Sequence, residues 1–141
     1  MLDKKFLEKK LEMLTGYVDE MEKAISGFSI GEIRDDLDKR RVTERVFQLI
    51  VDCMIDTNVH IIREGNFGAP DDLESTFKML GKYKVLDEDF ANKIAPIVGA
   101  RNMIVHRYEK LDIDLFLNNL KNNFLDFKKY IVQIDSYIKK N

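Results

Sequence analysis

The chain has 141 residues, 45% of them apolar and 34% charged, a balance that excludes a disordered chain or a membrane protein and fits a single domain over residues 1–141. Its formal net charge of −2 argues against holding nucleic acid by bulk charge and leaves only a local basic patch for that purpose. Seven Gly and two Pro are too few for the many turns of an all-β fold, so helices are expected.

In chain order, Leu7, Leu11, Leu14, Val18, Met21, Ile25 and Phe28 recur at alternating spacings of 4 and 3, which puts them on one stripe of a helix whose end is bracketed by Gly27 and Gly31. A second helix is predicted from about Leu37 to Arg63, burying Val46, Leu49, Ile50, Cys53, Met54, Thr57 and Ile61. The segment GNFGAPDD then breaks the pattern. Asp71 and Asp72 favour a helix start, and the short helix that follows ends near Leu80 with Gly81 as its terminator. Asp87 reads as the cap of the next helix, which carries Phe90, Ile94, Ile97 and Val98 towards Arg101; Pro96 inside it must kink it or make it begin again. Finally Ile113, Leu117, Leu120, Phe124, Phe127, Ile131, Ile134 and Ile138 repeat the 4, 3 spacing behind Asp112 as N-cap. Two long amphipathic helices at opposite ends of the chain suggest an all-α, antiparallel helical bundle; a coiled-coil homodimer is the competing use of the same stripes, disfavoured because the middle of the chain is also apolar and needs partners.

The lone cysteine, Cys53, has apolar neighbours and reads as a buried thiol rather than a nucleophile. The N-terminus MLDKKFLEKK has no apolar stretch of the signal-peptide kind, and no apolar run approaches the ~20 residues of a bilayer span, so a cytoplasmic protein is expected.

The segment ARNMIVHRYEKLD concentrates Arg101, Asn102, His106, Arg107 and Tyr108 just before a helix break. On a continuous helix Arg101 and Tyr108 lie within about 20° of each other, and Asn102 and His106 share the neighbouring stripe, while Met103, Ile104 and Val105 can anchor the segment to the core. A cation, an amide, an imidazole and a phenol around one cleft suit phosphodiester cleavage: histidine serves as acid or base near neutral pH, and arginine offers a fixed fork of donors to phosphate oxygens. One histidine supplies one proton-transfer role, so a two-fold dimer bringing two copies of His106 together would supply both. The plain alternative is a helix end whose His106 and Arg107 oppose the dipole.

Asp52, Asp56 and His60 are spaced i, i+4, i+8 along one edge of the second helix. Metal ligands can have this spacing, but a polar interface edge paired with Arg41 or Arg45 fits as well, and Asp56 could reach the motif and orient His106 or Arg101. No phosphate loop of P-loop or Rossmann pattern is present, so neither tight ATP binding nor another cofactor is expected of the chain itself.

Arg101-x-x-x-x-His106-x-Tyr108 resembles the R-x-x-x-x-H-x-Y signature of HEPN-domain toxins of the HepT type. The likeness extends to Arg101-Asn102 followed by Val105-His106, to TERVFQLIVDCMIDTNVHII (43–62), to the Gly/Pro loop ending at Pro70, and to the order of the later helices. It implies a HEPN-like helical homodimer with the motifs facing across the interface, acting as a metal-independent ribonuclease toxin on RNA. It further implies a nucleotidyltransferase antitoxin of the MNT type that can transfer AMP to the motif tyrosine. On that basis Arg101 and His106 are catalytic, Asn102 supporting and Tyr108 the modified residue. The alternative is a non-catalytic HEPN binding module that serves a nucleotidyltransferase partner or binds a nucleotide; a purely structural bundle is a third reading.

Overall fold

The structure, a computed structural model, describes residues 2–106 and 111–141. Among the described residues it has eight helices and no strand: α1 (Lys4–Ile25), α2 (Ile30–Asp35), α3 (Leu37–Glu64), α4 (Leu73–Lys82), α5 (Glu88–Ile94), α6 (Ile97–His106), α7 (Ile113–Asn122) and α8 (Leu125–Lys140). The fold is all-α, as the composition and spacing predict.

The N-terminal stripe behaves as its spacing requires. Leu7, Leu11, Leu14, Val18, Met21 and Ile25 are all buried on α1. The helix stops at Ser26, and Gly27 follows at φ +80°, a left-handed conformation that glycine adopts without a Cβ penalty. Phe28 therefore lies past the helix, half-buried against the core. Gly31 is not punctuation but sits inside α2, a short helix absent from the sequence reading. Its signal is local: Ser29 and Glu32 form a reciprocal capping box.

α1 and α3 run antiparallel, since early α1 meets late α3: Phe6 stacks on His60 at 4.5 Å and Lys10 reaches Asp56 at 3.1 Å. α8 covers the other side of α1, with Lys128 3.4 Å from Glu22. α3 is the central element, lying against α1, α2, α4 and α6. Its predicted inner face is buried apart from Leu49, which is half-buried. A polar chain crosses this core. The Tyr130 hydroxyl lies 2.5 Å from Asn58 Oδ1 and 3.2 Å from the Met54 carbonyl, and Asn58 Nδ2 donates to Thr76 Oγ1 at 3.2 Å.

Two predicted boundaries move. Gly81 does not end α4 but lies buried in its last turn, where a Cβ would stand 2.7 Å from Ala91 Cβ; its role is to let α4 and α5 approach. The predicted single C-terminal helix is two, α7 and α8, parted at Asn123–Phe124. The Asn119 carbonyl accepts from both the backbone N–H of Asn123, at 2.9 Å, and its side-chain amide, at 3.0 Å, which caps the end of α7, and the apolar stripe continues across the break. Asp72, Asp87 and Asp112 cap α4, α5 and α7 by accepting from Ser75, Phe90 and Leu115 backbone N–H groups. Among the described residues no helix is long and apolar enough to cross a membrane.

Candidate active site

Pro96 decides where the motif helix starts. It has no N–H to continue the hydrogen-bond ladder, so α5 closes at Ala95 and the chain begins again as α6 from Ile97. Val98 and Ile104 are buried and pin α6 to the core, with Met103 and Val105 half-buried beside them. That register turns Arg101 towards α3.

There its Nε donates to Asp52 Oδ1 at 2.9 Å, while its Nη1 donates to Asn102 Oδ1 at 3.2 Å. The Arg101 side chain is 22% exposed and that of Asp52 38%. Asp52 accepts from Nε and Asn102 accepts one hydrogen of Nη1, and among the described residues Nη2 makes no hydrogen bond. Arginine offers five donors in a planar fork, so a group held in this way still presents a paired set to an oxyanion. Asn102 thus bonds Arg101 directly.

His106 is the last residue of α6 and is exposed. Five residues separate it from Arg101, about 140° around the helix, so the two side chains leave α6 on different sides. Tyr108 lies outside the described residues, as does Arg107.

The polar edge of α3 is distributed differently from the sequence expectation. The Asp56 carboxylate is engaged by Lys10 at 3.1 Å, and Asp52, one turn earlier, is the residue that meets Arg101. Neither pairs with Arg41 or Arg45, which stand exposed on the same stripe with no ion pair to a described residue. His60 is packed flat on Phe6, and its Nε2 is buried with no partner among the described residues. Among the described residues no three His, Cys, Asp or Glu side chains converge as metal ligands. Cys53 is 5% exposed and its Sγ contacts the Lys10 carbonyl at 3.4 Å; burial pushes its thiol up to about 11, which keeps it protonated and inert.

A groove of about 490 Å³ opens between α5–α6 and α7–α8, with Ile97, Ala100 and Met103 on one wall and Leu115 and Phe116 on the other. Its lining includes none of Arg101, Asn102 and His106, so the polar constellation lies outside it, on the α3 side and tip of α6.

With this geometry in place, comparison with known proteins settles the lineage. The family model for Ribonuclease HepT-like proteins matches residues 14–134. The chain belongs to this family. A tRNA nuclease HepT from Aphanizomenon flos-aquae is 31% identical over 132 residues, covering 94% of this chain and 89% of that protein. An mRNA nuclease HepT from Shewanella oneidensis is 26% identical over 84 residues, covering 60% of this chain and 63% of that one. Among solved structures, a tri-AMPylated HEPN toxin from Shewanella oneidensis in complex with MNT antitoxin superposes with a TM-score of 0.85 at 20% identity, over 96% of this chain and 99% of the toxin. The cytosolic protein YutE from Bacillus subtilis superposes at 0.84 with 17% identity, over 99% of this chain and 92% of its own. At these identities the structural likeness establishes a common HEPN fold.

Proposed function

We propose that this HepT-like chain is a metal-independent endoribonuclease, the toxin of a toxin–antitoxin pair. The observation that carries the reading is Arg101, held by Asp52 and Asn102 with part of its fork uncommitted, on the same short helix that ends in an exposed His106. The relatives named as nucleases of tRNA and of mRNA support RNA as the substrate class.

In this mechanism a base removes the proton of a ribose 2′-OH, the 2′ oxygen attacks the adjacent phosphorus, and the 5′ oxygen leaves with a proton from an acid. The products are a 2′,3′-cyclic phosphate and a free 5′-OH. Arg101 neutralises the charge that grows on the phosphorane oxygens, a role for a preorganised donor. His106 is assigned the proton transfers because an imidazole can either accept or donate a proton. Because Arg101 and His106 diverge by about 140° on α6, a homodimer that faces two motifs across one cleft lets His106 of one copy act beside Arg101 of the other, with the two imidazoles as base and acid.

The partner is proposed to be a nucleotidyltransferase antitoxin of the MNT type; the tri-AMPylated HEPN toxin in complex with MNT antitoxin supports that assignment. Tyr108 is the proposed acceptor: its phenol oxygen attacks the α-phosphorus of ATP, pyrophosphate leaves, and the new phosphodiester occupies the arginine fork. The test is RNA cleavage by the purified protein in EDTA, alone and co-expressed with a nucleotidyltransferase partner, with intact mass measured on both samples. Expected are cyclic-phosphate ends, cleavage lowered 10²–10⁴-fold by His106→Ala, and AMP-sized mass increments lost in Tyr108→Phe. Wild-type protein that leaves RNA intact while still binding the transferase would replace this reading with that of a non-catalytic HEPN module.

A further inference from the structure

Resting on the nuclease reading, we propose that Arg41 and Arg45 on α3 form a phosphate track that holds the RNA strand beside the reacting phosphodiester.

The placement follows from helix geometry. Arg41, Arg45 and Asp52 fall within about 40° of one another around α3, so they share one stripe. Arg41 and Arg45 are one turn apart, about 6 Å along the axis, comparable to one nucleotide of extended strand. Asp52 lies about 10.5 Å beyond Arg45 on that line. Arg101 docks on the stripe there, through its 2.9 Å contact with Asp52. Three guanidinium groups are therefore set in a row, two on α3 and one delivered from α6.

Their charge is available. Both side chains are exposed, and among the described residues neither has an ion pair or side-chain hydrogen bond. The carboxylate nearest in register, Glu44, is taken by Arg40 at 3.2 Å, and Asp38 makes no ion pair with Arg41. The two acids farther along the stripe are also committed, Asp52 to Arg101 and Asp56 to Lys10. Two arginines at i, i+4 repel each other and cost helix stability. A polyanion laid along the stripe turns that repulsion into attraction, and single-stranded RNA supplies evenly spaced phosphates. With a net charge of −2 on the whole chain, such a row is the local patch through which this protein could hold RNA.

The experiment measures binding of a short fluorescent single-stranded RNA to the full chain carrying His106→Ala, across a salt series, with and without Arg41→Gln/Arg45→Gln. Expected is a loss of about tenfold in affinity at low salt and a log–log salt slope shallower by about 1.4, for two phosphates at roughly 0.7 each. Arg41→Lys/Arg45→Lys should keep most of the affinity. With His106 intact, the Gln pair should raise KM for long RNA and leave cleavage of a dinucleotide, too short to reach Arg41, at the wild-type rate. Removing a like-charge pair should not lower the melting temperature, so unfolding would be recognised. An unchanged affinity and slope overturns the track, as does unchanged RNA binding with weakened binding of a nucleotidyltransferase. RNA bound with the expected slope change but never cleaved by wild type would sink the nuclease reading and leave the track standing.

Discussion

Removing the Asp52 carboxylate should impair RNA cleavage through Arg101 while barely touching the fold. The pair is close, 2.9 Å, but the Asp52 side chain is 38% exposed, and solvent screening keeps its contribution to folding at about 1 kcal/mol or less. In the reaction the accounting differs. An arginine released from Asp52 regains rotamer freedom that the transition state must remove again, roughly 0.5–1.5 kcal/mol. Loss of the charge-assisted hydrogen bond adds about 1 kcal/mol after discounting for exposure. Together these predict kcat lower by about 10- to 70-fold in Asp52→Ala. KM should stay level or fall, because a carboxylate has been taken away from the neighbourhood of the substrate phosphate. Asp52→Asn, which keeps an acceptor oxygen, should fall between. The assay is single-turnover cleavage of a labelled RNA with enzyme in excess, run as a double-mutant cycle with Arg101→Ala. Since Asp52 acts only through Arg101, Asp52→Ala should cost nothing further once Arg101 is gone. An equal loss in both backgrounds would refute the reasoning.

Three stability predictions test the frame. Gly81→Ala forces a methyl to 2.7 Å from Ala91 Cβ and should cost about 1–3 kcal/mol by overpacking, seen as a lower melting temperature and partly restored by Ala91→Gly. Tyr130→Phe leaves Asn58 Oδ1 without its hydroxyl donor in a buried site, for a loss of about 1–3 kcal/mol in denaturant unfolding and no change in RNA cleavage. Cys53 ionises at about 11 in the folded chain against 9.0 for a free thiol, so the folded state binds more protons between those values; its contribution to stability is full below pH 9 and is lost as pH rises towards 11. Chemical denaturation at pH 8 and pH 10.5 should therefore show a smaller alkaline loss in Cys53→Ala than in wild type, and equal losses would contradict the assignment.

What the sequence makes legible here is whatever depends on near neighbours in the chain. The α1 stripe, the inner face of α3 and the aspartate caps of α4, α5 and α7 are set by residues within a turn or two, and periodicity or cap chemistry reads them directly. The errors share a different origin. Gly81 looks like a terminator until Ala91, ten residues on and in another helix, is placed against it. The α7–α8 break is invisible to periodicity because the 4, 3 spacing of apolar residues runs straight through it; only the asparagine pair hints at a cap, in which the Asn119 carbonyl accepts from both the backbone and the side chain of Asn123.

The site divides along the same line. Arg101, Asn102 and His106 stand out because their residue types are chemically informative and lie within one short helix. The carboxylate that serves Arg101 could not be chosen from sequence, since Asp52 and Asp56 occupy the same edge of α3 and differ only by one turn, about 6 Å along the axis. The choice is made by the register of α6 on α3, and that register depends on where Pro96 restarts the helix and on the burial of Val98 and Ile104. Lys10 of α1 completes the selection by engaging Asp56, which leaves Asp52 as the neighbour Arg101 meets. A shift of α6 by one turn towards Asp56 would bring Arg101 into competition with Lys10 for one carboxylate and leave Asp52 uncompensated on the edge of the site. The position of a proline in one helix thus fixes which acid on another orients the arginine, and that dependence is tertiary in origin.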